Sequence, residues 1–196
     1  MSWLARLMGR STPPPAGLDA LFALPGAALT LESAMGLRPT GLGSVAFRAA
    51  EGGASAGTVS EIGQLLAAGA DSGVPAAEQS VDAFGYTWLL LRRDPSDVDG
   101  VAGLVTDLHA INLTLVDNGF GPSLLCSLVA FADDAGRRLG LVYLYKRGTF
   151  YPFAPTGDQQ RDSAYELQVR GALGADLPVE SDLSRWFPVW GAPGLS

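Results

Sequence analysis

Two residue types in this chain could carry reactive chemistry, and each occurs once. His109 is the one histidine, so a metal site or a Ser-His-Asp relay would have to rest on it. Asp107 stands two positions away, on a different helix face, whereas Asn112 at i+3 is a neighbour. Helix-flank packing is the expectation for this imidazole. The one cysteine, Cys126, sits in the apolar run LLCSL. A thiolate needs cations or a helix N-terminus beside it, and an apolar strand supplies neither. A buried structural thiol is expected there. The carboxylates are dispersed, and the adjacent Asp133 and Asp134 have the chemistry of a turn. GLGSVA, at 41–46, begins as a phosphate loop would. It precedes a strand, though, and does not lead from strand to helix as that mechanism requires. No catalytic residue, metal or cofactor is expected from these residues. A rival reading takes His109, Asp107 and Cys126 as the polar lining of a pocket between a long helix and the sheet, serving a small ligand or a reaction.

Recognition chemistry is concentrated in YLYKRGTFYPFAP, Tyr143 to Pro155. Strand alternation puts Val142, Leu144 and Lys146 on one face and Tyr143, Tyr145 and Arg147 on the other. Both faces turn cationic near Gly148, as expected where a strand leaves its sheet. Phe150, Tyr151 and Phe153 follow, held semi-rigid by Pro152 and Pro155. Aromatic rings beside cations are enriched at interaction hot spots, where one anchor contributes about 2 kcal/mol or more. Lys146, Arg147, Tyr151 and Phe153, with Trp186 and Trp190 from the closing segment, are the candidate partner-binding residues. The competing expectation is that Trp186, Phe187 and Trp190 fold back over these rings and seal the sheet.

A second apolar cluster lies at the start of the chain. Trp3, Leu4, Leu7 and Met8 share one face of a short helix, with Arg6 and Arg10 on another. Pro13-Pro14-Pro15 then stops any helix and forms a stiff spacer. This 1–17 segment is read either as an unattached end or as a docking element for a membrane or a partner helix. Four partly buried apolar side chains supply roughly 4–6 kcal/mol gross, and each arginine near an anionic leaflet adds about 1 kcal/mol. Such contact is weak, peripheral and reversible.

The elements that position these groups form an α+β pattern in a single domain, 18–196. LDALFALPGAALTLESAMG reads as a helix broken at Pro25 and Gly26. A strand follows, centred on Val45 to Ala49, and then the short helix TVSEIGQLLAAG. Residues 70–80 have loop composition, and FGYTWLLLRRD is a strand from about Gly85 to Arg92. Apolar residues at Val101, Leu104, Val105, Leu108, Ile111 and Leu115 mark the clearest helix. Ser96 or Asp97 is expected to cap it, and Asn118-Gly119 to end it. The next stretch is a hairpin through Asp133-Asp134-Ala135-Gly136. Its first strand, apolar at nearly every position, should be central with both faces covered. A polar loop at 156–162 then precedes a helix in RDSAYELQVRGALG. The order predicts a mostly antiparallel sheet of four to five strands with helices packed on it.

Composition sets the outer bounds. A chain of 196 residues buries roughly 70% of its unfolded surface and needs no cross-link to fold. The formal charge of −7 and a pI near 4.6 oppose nucleic-acid binding, which draws on many lysine and arginine contacts to phosphate. A lone cysteine fits a reducing compartment. No uncharged apolar run approaches about 18 residues, and MSWLARLMGRSTPPP lacks the layout of a secretory signal. A cytoplasmic protein is expected.

The blocks LDALFALPGAALTL, GYTWLLLRRDP, LVTDLHAIN, GFGPSLLCSLVAF, LVYLYKRGTFYPFAP and DLSRWFPVWGAPG run in this order from Leu18 to Leu195. Together they resemble the actinobacterial family of PspA-associated proteins, PspAB. The resemblance implies a link to PspA, the coiled-coil membrane-remodelling protein of the phage-shock, or envelope-stress, response. Through related gene neighbourhoods it also implies a link to the membrane protease HtpX. It carries over no catalytic or ligand-binding residue. What it implies is a non-enzymatic accessory protein acting through protein–protein contact. The order of helices and sheet is also similar to that of YbjN and the type III secretion chaperones, a fold-level analogy only.

Overall fold

The hairpin expected around Asp133 organises the fold. β4 (Leu124–Ala132) and β5 (Arg138–Leu144) pair antiparallel, and Asp133 Oδ1 accepts from the backbone N–H groups of Ala135 and Arg137. The structure is a computed structural model describing residues 17–48, 54–69, 75–157 and 159–195. The amphipathic start, with Trp3, Leu4, Leu7 and Met8, lies outside the described residues.

A 3-10 turn, Leu18–Ala23, leads into α1 (Leu24–Met35). Pro25 falls in the first turn of α1, where a missing N–H costs nothing. The break expected at Pro25 and Gly26 is thus a change of helix type one residue earlier. Then come β1 (Arg38–Phe47), α2 (Ala54–Gly69), β2 (Glu78–Val81), β3 (Thr87–Arg92) and α3 (Gly100–Asp117). After the hairpin follow β6 (Thr149–Phe153), a two-stranded ribbon of β7 (Pro155–Gly157) and β8 (Gln160–Arg161), and α4 (Ser163–Leu173). α3 starts later than expected. Asp99 is its N-cap, without a side-chain bond, because Asp94 takes Ser96 into a separate turn.

The main sheet is antiparallel throughout, in the order β2-β3-β1-β4-β5-β6. It has six strands where four to five were expected. β2 is one addition: EQSV is exposed at all four positions, so no apolar alternation announces it. It is an edge strand, tied down partly by Arg92 pairing with Glu78. β6 is the other, and it corrects the reading of a strand leaving the sheet at Gly148. Gly148 has φ 68, a left-handed conformation that glycine adopts without Cβ strain. The chain turns there and pairs back, Tyr143 opposite Phe150 and Val142 opposite Tyr151.

All the helical packing lies on one face of this sheet. Leu104, Val105, Leu108, Ile111 and Leu115 of α3 are fully buried against Val45, Phe47, Leu89, Val129 and Phe131. Asn112 sits among them, its amide donating to the Leu108 carbonyl and to Ser127 Oγ. The run Leu18–Met35 is long and apolar enough to cross a membrane by length and composition, which the sequence expectation had not foreseen. Its Leu21, Leu24, Ala27, Ala28 and Leu31 are packed into this core, while Phe22 and Leu29 are exposed.

The opposite face carries Ala46, Trp88, Cys126, Leu128, Ala130, Val142, Tyr151 and Phe153. Among the described residues no α-helix packs on it. The closing segment covers it instead, laying Trp186, Ala192 and Leu195 across the strands. A Cβ on Gly140 would stand 2.8 Å from Leu128 and 3.0 Å from Leu195, so a bare backbone there is what lets the segment lie flat. β4 is covered on both sides, as its apolar run requires.

Candidate interaction site

The strap over the second face is fixed at Glu180. Phe150 and Val179 form a parallel bridge, with Glu180 N–H donating to the Phe150 carbonyl at 2.7 Å. The Glu180 carboxylate accepts from Asp182 N–H, from Arg147 Nε at 2.6 Å and from Thr149 Oγ1, and Arg185 lies 3.4 Å away. Its pKa falls to about 2. The Asp182 backbone N–H lowers it most, burial opposes, and the Arg147 bond and charge add to the lowering.

From that anchor the aromatic residues fold inward. Trp186 Nε1 donates to the Glu180 carbonyl, and the indole stacks on Tyr151 at 6.1 Å. Tyr151 donates its hydroxyl to the Phe187 carbonyl at 2.8 Å. Arg161, paired with the buried Glu166, donates to the Trp186 carbonyl at 2.7 Å. Trp190 meets Phe153 edge-on at 5.0 Å.

These contacts decide between the two expectations for the aromatic residues. Tyr151, Phe153 and Trp186 are 1%, 0% and 6% exposed, so none of these rings projects from the surface as an anchor. Their place among surface anchors is therefore corrected. The reason is that the helices use only one face of the sheet, leaving these rings to be covered by the strap. Phe187 is the exception in the sealing expectation: its backbone closes the strap while its side chain stays 59% exposed.

Beside the sealed part an apolar groove of about 590 Å³ remains open. Its floor is Trp88, Cys126, Leu144 and Tyr151, and its strap wall is Phe187 to Trp190. The opposite wall is the β2–β3 turn, with Phe84 and Tyr86. Asp82 shapes that turn, accepting from the backbone N–H groups of Phe84 and Tyr86 and from Trp88 Nε1 at 2.8 Å. Lys146 and Arg147 close one end. Arg147 is held by Glu180. Lys146 is exposed and donates to the Pro122 carbonyl at 3.0 Å. A second cleft of about 560 Å³ adjoins, sharing Phe84, Gln159, Val189 and Trp190.

Of the predicted partner residues, the structure thus gathers Lys146, Arg147, Tyr151 and Trp190 around one groove, with Phe153 in the adjoining cleft. Trp186 lies behind Tyr151. Sequence reasoning missed Phe84 and Tyr86, although the alternation in FGYTW placed an aromatic stripe on one face of that strand. It left Phe187 out of the partner set too.

The rival pocket between the long helix and the sheet is corrected. Asp107 pairs with Arg93 on the outer side of α3. His109 packs against Phe22 at 5.0 Å. Cys126 lies across the sheet from both, on the strapped face, where burial pushes its thiol up to about 12. The three do not converge, because alternation along β4 points Cys126 away from α3 while Ser127 points toward it. Among the described residues, no group of three His, Cys, Asp or Glu side chains is placed to hold a metal ion.

An antiparallel sheet, helix-clad on one face and strapped over a groove on the other, defines an α+β protein with an open apolar cleft outside its main core. The chain belongs to the PspAB family, described as PspA associated protein B, whose sequence model matches residues 1–194. No curated protein and no solved structure matches the chain, so the analogy to YbjN and the secretion chaperones gains no support.

Proposed function

We propose that this chain is a non-enzymatic, cytoplasmic accessory protein of the PspA envelope-stress response, and that it docks a helical segment of PspA in the groove of the strapped face. The observation that carries this reading is the open apolar groove itself. Phe84 and Phe187, 45% and 59% exposed, flank apolar floor residues, and Lys146 stands at one end. An amphipathic helix supplies what such a groove lacks, apolar anchors for the floor and an acidic side chain for the ammonium. The family description, which names association with PspA, supports the choice of partner. A non-enzymatic role is supported by the separation of His109, Asp107 and Cys126, and by a thiol protonated at neutral pH. The lone cysteine supports a cytoplasmic setting.

The geometry also selects the variant that tests the idea. Arg147→Glu would strand the buried Glu180 carboxylate, and Tyr151→Ala would open the core, so either could fail through folding alone. Lys146→Glu combined with Phe187→Ala alters only exposed groups. In a pull-down with PspA, recovery of this double variant is expected to fall about tenfold or more. Recovery equal to wild type, with the melting temperature unchanged, would remove the groove as the docking surface.

A further inference from the structure

The groove has a potential occupant within the chain. Gly17 is the first described residue, and its backbone nitrogen lies 3.9 Å from where a Cβ on Gly148 would stand. Gly148 follows Arg147, which with Lys146 closes one end of the groove. The polypeptide therefore enters the described fold at the turn beside that end. The nine steps from Met8 back to Gly17 include Pro13-Pro14-Pro15, and extended at about 3.1 Å each they reach roughly 28 Å. A cavity of this volume is only about 10 Å across if round, so the tether is long enough to pass around the turn and along the groove.

The chemistry also fits. Wound as a helix, residues 3–8 would bring Trp3, Leu4, Leu7 and Met8 to one face, matching a floor of Trp88, Leu144 and Tyr151. The charges are complementary as well. Residues 1–16 hold Arg6 and Arg10 and no acid, so removing their +2 from the formal −7 leaves −9 on the rest. Lys146 disfavours an arginine at its own end, which orients Arg6 and Arg10 toward the Asp82 side of the groove.

We propose that residues 3–8 occupy this groove in their own molecule and compete with the partner helix for it. The competition rests on the docking reading given above; the self-occupancy does not. A tether of this length holds the segment at an effective concentration on the order of millimolar, so even weak affinity covers the groove much of the time. Freeing the groove should then raise apparent partner affinity by about 2- to 10-fold, the inverse of the uncovered fraction.

The test uses the full-length chain and a Trp3→Ser/Leu7→Ser variant, followed through the indole N–H signals in nitrogen-15 NMR spectra. The signals of Trp88 and Trp190, which line the groove, are expected to shift between the two proteins. That of Trp186, bonded to the Glu180 carbonyl behind Tyr151, should move less. PspA should bind the variant more tightly. Unchanged Trp88 and Trp190 signals overturn the proposal whatever PspA does. So does loss of co-sedimentation with anionic vesicles without any indole shift, which would assign the segment to a membrane. Shifts that vanish on dilution would mean that a second copy donates the segment, and would likewise overturn it. Indole shifts with unaltered PspA affinity would keep the self-occupied groove and sink the docking reading instead.

Discussion

The two faces of the sheet are covered by different means. On one face, α1, α3 and α4 bring regular apolar stripes that mesh with Val45, Leu89, Val129 and Phe131. On the other, an irregular strap is held by discrete bonds: Glu180 to Arg147, Arg161 to the Trp186 carbonyl, Tyr151 to the Phe187 carbonyl. A helix covers strands continuously because its apolar side chains repeat every turn. A strap covers only where its large residues fall, and the strip between Trp190 and the β2–β3 turn stays open. The groove is a consequence of covering a face with a few wide side chains rather than with a helix.

The comparison can be broken by substitutions on either face. Trp186→Ala should cost about 3–5 kcal/mol in urea unfolding and Leu108→Ala about 2–5 kcal/mol, if both coverings belong to one cooperative core. A Trp186→Ala protein that unfolds within about 1 kcal/mol of wild type would show that the strap peels away separately from the helical face. Gly140→Ala probes the strap from beneath. Its methyl would press on Leu128 and Leu195, and the expected loss is about 1–3 kcal/mol, with the groove-lining Trp190 indole signal displaced.

The smallest effect sharpens the role of the anchor. Glu180 has a carboxyl held at about 2 in the folded chain, below its ordinary 4.5. Its contribution is therefore present above the ordinary value and is lost as pH falls from there toward 2. Between these limits the stability of wild type should decline more steeply than that of Glu180→Gln. Parallel declines would show that other carboxyl groups govern acid unfolding.

Much of the helix-clad face was legible in the residues. The spacing of Leu104, Leu108, Ile111 and Leu115 gave α3, the unbroken apolar run of β4 announced a strand buried on both sides, and Asp133 to Gly136 announced the turn between β4 and β5. The strapped face was legible only in part. Exposed EQSV has no periodicity to mark it as β2, and the cations before Gly148 looked like an exit from the sheet. Of the six residues proposed as partner contacts, four line the groove, and Tyr151, Phe153 and Trp186 are buried. Whether an aromatic ring is a surface anchor or a core residue depends on what lies over it, and the covering strap arrives some thirty residues later in the chain.

The sequence by itself determined the α+β class, the central hairpin, the apolar face of the long helix and the family, because these depend on local period and on long matching blocks. Tertiary structure alone decided that Cys126 and His109 lie on opposite sides of the sheet, that Tyr151, Phe153 and Trp186 are sealed, and that Lys146 stands at the end of an open groove. The reason is physical. Periodicity fixes which side of a strand a residue points to, but exposure depends on which distant segment packs there.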